Sequence, residues 1–114
     1  MAITRSVALN ELPVRGLHVN AATAAYTIVS SDSGIVLFND YGTTTTYTLP
    51  AVADAAGKLF WFVNGEATTK TIITAPTACI KGPQAAVCTT LTSKAIGDHC
   101  ILTCDGTNYF VVSM

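Results

Sequence analysis

Charge is what this chain lacks most. Lys and Arg supply six residues and Asp and Glu seven, 11% of the chain, with a net charge of −1. That is about half the charged share of an ordinary soluble domain. The cations stand singly from Arg5 to Lys94, so there is no clustered basic stripe of the kind that nucleic acid binding requires. No like-charge run marks a disordered tail. Long apolar runs are also missing, which removes a membrane span, and Met1–Leu9 lacks the apolar stretch of a secretory signal. Synthesis and folding in a cytoplasm are expected.

Chemistry is equally sparse. There are two histidines. His99 adjoins Cys100, but neighbouring residues of a strand point to opposite faces, so that pair diverges instead of forming a nucleophile with its base. His18 reads as a solvated or interface side chain. Asp32, Asp40, Asp54, Asp98 and Asp105 all fall at predicted turns, where Asp closes backbone loops. No phosphate-binding glycine motif and no calcium loop is present. No catalytic residue, cofactor site or metal site is assigned, and the chain is not expected to be an enzyme.

Four cysteines, Cys79, Cys88, Cys100 and Cys104, lie in the last third. They read as small buried hydrophobes, as a Cys79–Cys88 disulfide across a short loop, or as zinc ligands. Cys100 and Cys104 have a short clamp spacing, but an extended HCILTC run holds them about 13 Å apart.

What is abundant is threonine, 18 of 114 residues, concentrated in Thr43–Thr48, Thr68–Thr74 and Thr89–Thr92. β-branched side chains favour pleated surfaces over helices. Only Ser6–Leu12 and Val52–Ala56 offer even short helical patterns. Strands are predicted at Tyr26–Ser30, Ile35–Phe38, Thr44–Leu49, Leu59–Val63, Thr71–Thr74, Val87–Leu91, His99–Cys104 and Asn108–Ser113, bounded by Gly, Pro, Asn, Asp or Ser. Asn64-Gly65 and Asp105-Gly106 carry hairpin chemistry, the second most clearly. The expected fold is all-β: a small antiparallel barrel or sandwich of about eight short strands.

Leu59–Val63 is apolar on both faces, which marks a central strand or one whose outer face meets another subunit. Trp61 is placed in the core or at such an interface. Half the residues are hydrophobic, so a chain this poor in charge is expected to cover part of its surface with other copies or a partner. Residues 1–25 read as an extended N-terminal arm and 26–114 as the β domain. The arm carries too many apolar residues for a purely solvated tail, which makes it a candidate for partner contact.

The runs Tyr26-Thr-Ile-Val-Ser-Ser-Asp-Ser-Gly34, Leu37-Phe38, Tyr47-Thr-Leu-Pro50, Gly57, Phe60-Trp-Phe-Val63, Lys81-Gly82, Asp105-Gly106 and Tyr109-Phe-Val-Val112 form a layout that resembles the head decoration (cement) proteins of tailed bacteriophages. A similar layout occurs in phage tail-fibre β modules. The resemblance spans about residues 26–113 and does not include the four cysteines. It implies a homotrimer on the capsid exterior that bridges neighbouring major capsid protein subunits and stabilises the head, frequently through an N-terminal arm. On that reading Ile3, Val7, Leu9, Leu12, Val14 and Leu17 are apolar capsid anchors, with Arg5 and Arg15 as their polar partners. Phe60, Phe62 and Tyr109 are the trimer contacts. The alternative is a tail-fibre or receptor-binding module, which usually ends a much longer chain, whereas this one starts at Met1 and stops at Met114. A third class, a carbohydrate- or ligand-binding β-sandwich unconnected with virions, would need exposed aromatics on one face, for which Tyr41 and Tyr47 are the candidates.

Overall fold

The computed structural model describes residues 15–66, 71–77, 79–82 and 85–114. Among them are eleven strands in two sheets. They are β1 (Gly16–Asn20), β2 (Ala25–Thr27), β3 (Ile35–Asn39), β4 (Thr45–Thr48), β5 (Leu59–Asn64), β6 (Thr71–Thr74), β7 (Ile80–Gly82), β8 (Ala85–Cys88), β9 (Thr90–Thr92), β10 (His99–Cys104) and β11 (Tyr109–Ser113). The larger sheet has the order β1-β3-β5-β10-β11-β7-β8 and the smaller β2-β4-β6-β9.

The chain is all-β, as its composition predicts, but it is not an antiparallel barrel. It climbs as a solenoid. Each early turn lays one strand in the large sheet and the next in the small one, so that β1, β3 and β5 pair in parallel and β2, β4 and β6 do the same. Parallel neighbours need a long crossover, and here the crossover is the strand in the opposite sheet. The fourth layer, β9 and β10, reverses direction and pairs antiparallel to β6 and β5. β10 then turns into β11.

The turn residues explain the difference. Asp105-Gly106 does make the expected hairpin: Gly106 has φ 94°, and the Asp105 carboxylate accepts the amides of Thr107 and Asn108, both at 2.8 Å. Those amides hold its pKa below the ordinary carboxylate value. Asn64-Gly65 is instead a corner that passes the chain from one sheet to the other. Its glycine serves close approach, because a Cβ there would stand 2.5 Å from the Phe38 ring and 2.7 Å from the Asn39 carbonyl oxygen.

Two further expectations need correction. Residues 16–25 are not an extended arm, since β1 lies at the edge of the large sheet and β2 begins at Ala25. The predicted Val87–Leu91 strand is two strands, β8 and β9, in different sheets. The weak helical pattern at Val52–Ala56 corresponds to a single 3-10 turn, Val52–Asp54, and Ser6–Leu12 lies outside the described residues.

The core sits between the sheets. Leu37, Phe60, Phe62 and Leu102 face inward from the large sheet, Tyr47, Ile73 and Leu91 from the small one, all buried. The Tyr47 and Phe62 rings meet edge-on across the gap at 5.4 Å. The Tyr109 hydroxyl donates to the Pro50 carbonyl at 2.6 Å, tying β11 to the loop after β4.

One corner of the solenoid is polar yet buried. Asn20, Asn39 and Asn64 end β1, β3 and β5 and stack in register, each 3% exposed or less. Asn20 Nδ2 donates to Asn39 Oδ1 at 3.2 Å and to Thr45 Oγ1 at 3.1 Å. Asn39 Nδ2 donates to Thr71 Oγ1 at 3.0 Å, and that hydroxyl donates to Asn64 Oδ1 at 2.9 Å. Asn64 Nδ2 reaches the Ala95 carbonyl at 2.9 Å. A buried polar group unbonded is costly, and a chain of satisfied ones fixes register.

Candidate interaction surface

Strand pleating sends alternate residues to the outer faces of the two sheets, and these faces differ in chemistry. On the large sheet, one cross-strand row runs Leu17, Val36, Trp61, Ile101, Ser113. A second runs Val19, Phe38, Val63, His99. A third runs Leu59, Thr103, Phe110, Lys81. The surface is apolar across β1, β3 and β5, and its polar members gather toward β10, β11 and β7. Leu17 is 62% exposed. Lys81 Nζ stands 5.8 Å from the Phe110 ring centroid.

The small sheet presents hydroxyls. Thr27, Thr48, Thr74 and Thr90 form one row, and Ala25, Thr46, Ile72 and Thr92 the other.

β5 takes the position its sequence predicts, central between β3 and β10. Its Phe60, Phe62 and Asn64 point inward while Leu59, Trp61 and Val63 point outward. This corrects the expected oligomer contacts. Phe60, Phe62 and Tyr109 are 0%, 1% and 0% exposed inside their own chain, so they have no surface to offer another copy. Trp61 is half-buried on the outer face, and its shielded indole N–H has no acceptor among the described residues.

Of the arm residues, Ile3, Arg5, Val7, Leu9, Leu12 and Val14 lie outside the described residues. Arg15 is engaged internally: Nη2 donates to the Ser31 carbonyl at 2.7 Å and Nε to the Ser33 carbonyl at 3.0 Å. Leu17 remains available on the edge strand. Tyr47 is wholly buried, so Tyr41 and Tyr47 do not form an exposed aromatic platform for a sugar.

All four cysteines are free thiols, and β8 places Cys88 opposite Ile80, not Cys79. Cys100 faces inward and burial pushes its thiol up to about 12. Burial also raises Cys104, whose Sγ sits 3.4 Å from the Gly106 amide. His99 faces outward, opposite to Cys100.

Three features were not read from the sequence. The first is the asparagine stack. Its signal was there, an Asn closing each of HVN, LFN and FVN, but the unequal spacing of Asn20, Asn39 and Asn64 hides the repeat. The second is a contact of 2.8 Å between His99 Nε2 and Ser113 Oγ. The neighbouring Asp98 carboxylate turns to the backbone, its Oδ2 accepting the Lys94 and Ala95 amides at 2.7 and 2.8 Å. The third is a cleft of about 880 Å³ beside Ser93, Lys94, His99 and Met114, with Phe62 and Leu91 beneath. Compared against protein-family models, curated proteins and solved structures, the chain finds no match in any of the three.

Proposed function

We propose that this protein is a structural virion component: a head decoration protein that assembles as a homotrimer on the capsid exterior, after synthesis in the host cytoplasm, and bridges neighbouring major capsid subunits. The observation that carries the reading is the first rung of the solenoid. β1 and β2 are the edge strands of the two sheets, and Leu17 and Val19 on β1 are 62% and 48% exposed. An edge strand offers unpaired backbone groups to a partner, and residues 1–14, dotted with apolar side chains, lead directly into it. The sequence layout over residues 26–113 supports the same reading.

The mechanism is mass action. A protein that binds only the assembled shell stabilises it by RT ln(1 + [L]/Kd), about 2.7 kcal/mol at a hundredfold excess over Kd. Three arms on one trimer turn the second and third contacts into intramolecular events, which raises avidity well above a single contact.

A tail-fibre module is the second reading, favoured by the stacked parallel rungs, since repeated rungs build elongated bodies; the described fold measures 45 × 30 × 23 Å. One experiment separates the two. The full chain and a variant lacking residues 1–14, which leaves β1 whole, are mixed with purified capsids and with host cells. Capsid co-sedimentation that is lost in the truncated variant supports decoration. Cell adsorption without capsid binding supports the fibre module. Equal capsid binding by both chains removes the arm from the mechanism.

A further inference from the structure

We infer that the outer face of the seven-stranded sheet is where copies of this chain meet, with the threonine face of the four-stranded sheet left in water. This rests on the oligomeric part of the reading above and is independent of the capsid.

Both sheets are built from the same kind of strand, and they share one core. Their inner faces are alike, but their outer faces are not. Opposite the core, the large sheet places Val36, Phe38, Trp61, Val63 and Ile101 side by side on adjacent strands. The small sheet at the equivalent depth places Thr48, Thr74 and Thr90. A hydroxyl-bearing β-branched residue satisfies both a pleat and bulk water; a Val, Phe or Trp satisfies only the pleat. Water is therefore the expected neighbour of one face and not of the other. Contiguous apolar patches beyond a few hundred Å² mark interaction surfaces. The four strands that carry these residues and Leu17 and Val19, at about 4.8 Å spacing and about 17 Å length, give roughly 330 Å² in plan, before side-chain relief is counted. That is somewhat under half of the roughly 800 Å² per partner of a standard interface, the polar rim supplying the rest.

The chemistry of the face indicates its occupant. His99 is the one titratable group in the rows from β1 to β11, and it stands at the end of its row. Lys81, the fixed charge of this face, stands beyond those strands on β7, so the part of the face from β1 to β10 selects no partner of opposite sign. It is compatible with itself, which is the condition for a symmetric contact between identical chains. The surroundings follow the usual plan of an apolar centre with a polar rim: His99 is bonded to Ser113, and Lys81 lies over Phe110. Trp61 is at the centre, flanked by Val36 and Ile101. Tryptophan is the residue type most enriched at the energetic centres of interfaces.

The test is the mass of the full chain in solution, by light scattering and sedimentation velocity over the micromolar range. The wild type is expected to be an oligomer. Trp61→Glu and Ile101→Lys are expected to fall to the 11.9 kDa monomer, with far-UV circular dichroism unchanged. Thr48→Lys, on the other sheet, is expected to keep the wild-type mass. Because Trp61 is the single tryptophan, dilution of the wild type gives a readout that needs no variant: its emission should shift to the red, and acrylamide quenching should rise, as the mass falls. A monomeric wild type overturns the inference, as do outer-face variants that retain full mass or a dissociation that leaves Trp61 emission unchanged. Loss of capsid binding with the oligomer intact counts against the capsid reading alone.

Discussion

Replacing Asn39 with alanine removes the middle of the buried polar stack. Its Oδ1 accepts from Asn20 Nδ2 and from the Tyr41 amide, both at 3.2 Å, and its Nδ2 donates to Thr71 Oγ1 at 3.0 Å. The partners do not suffer equally. Asn20 Nδ2 keeps the Thr23 carbonyl and Thr45 Oγ1, and Thr71 keeps its bond to Asn64. Each lost hydrogen bond costs about 1 kcal/mol net, and the void at a residue 0% exposed adds a cavity cost. The expected loss is at least about 3 kcal/mol. At about 4 °C or more per kcal/mol for a domain of this size, the melting temperature should drop by roughly 12 °C or more. Urea and thermal unfolding followed by circular dichroism, at one fixed protein concentration because an oligomer's stability depends on it, would measure the change. Pairing Asn39→Ala with Thr71→Val in a double-mutant cycle should return a coupling of about 0.5–3 kcal/mol. A single-variant loss within about 0.5 kcal/mol, the range of ordinary surface changes, would refute the claim that the stack holds the rungs in register.

Two further outcomes follow from the same structure. Burial lifts the Cys100 thiol from 9.0 to about 12, so the unfolded chain ionises first: the stabilisation is complete below pH 9 and is lost as pH rises toward 12, at about 1.4 kcal/mol per pH unit. Urea midpoints of the wild type should therefore fall above pH 9, and Cys100→Val should show a shallower slope; parallel slopes would contradict the burial argument. Gly65→Ala drives a methyl group against the Phe38 ring and the Asn39 carbonyl. Since that carbonyl is fixed by the Gly65 amide at 2.8 Å, overpacking should cost about 1–3 kcal/mol; a midpoint equal to wild type would show that the corner yields.

The β class, most strand positions and the Asp105-Gly106 hairpin were legible because they depend on short-range effects: β-branching, alternation and the positive φ that Gly106 adopts. The double apolar face of β5 was legible too, since Leu59, Trp61 and Val63 alternate with Phe60 and Phe62 whatever lies on either side. Which of those faces is inward was not legible. Both sets are aromatic and aliphatic, and only the position of the small sheet, with Tyr47 against Phe62, decides that Phe60 and Phe62 belong to the core and leaves Trp61 on the outside.

Strand direction was beyond sequence for a related reason. Asn64-Gly65 has the chemistry of a hairpin, but a hairpin and a solenoid corner differ in whether the next strand pairs with its predecessor or crosses to the facing sheet. That choice is settled by long-range contacts, here the Asn39–Thr71 and Thr71–Asn64 bonds that join successive turns. Residue order alone determined that this chain would be pleated, sparsely charged and apolar on two sides of one strand. Tertiary structure decided which side is spent on the core, because burial belongs to the packing of one sheet on the other and not to any segment by itself.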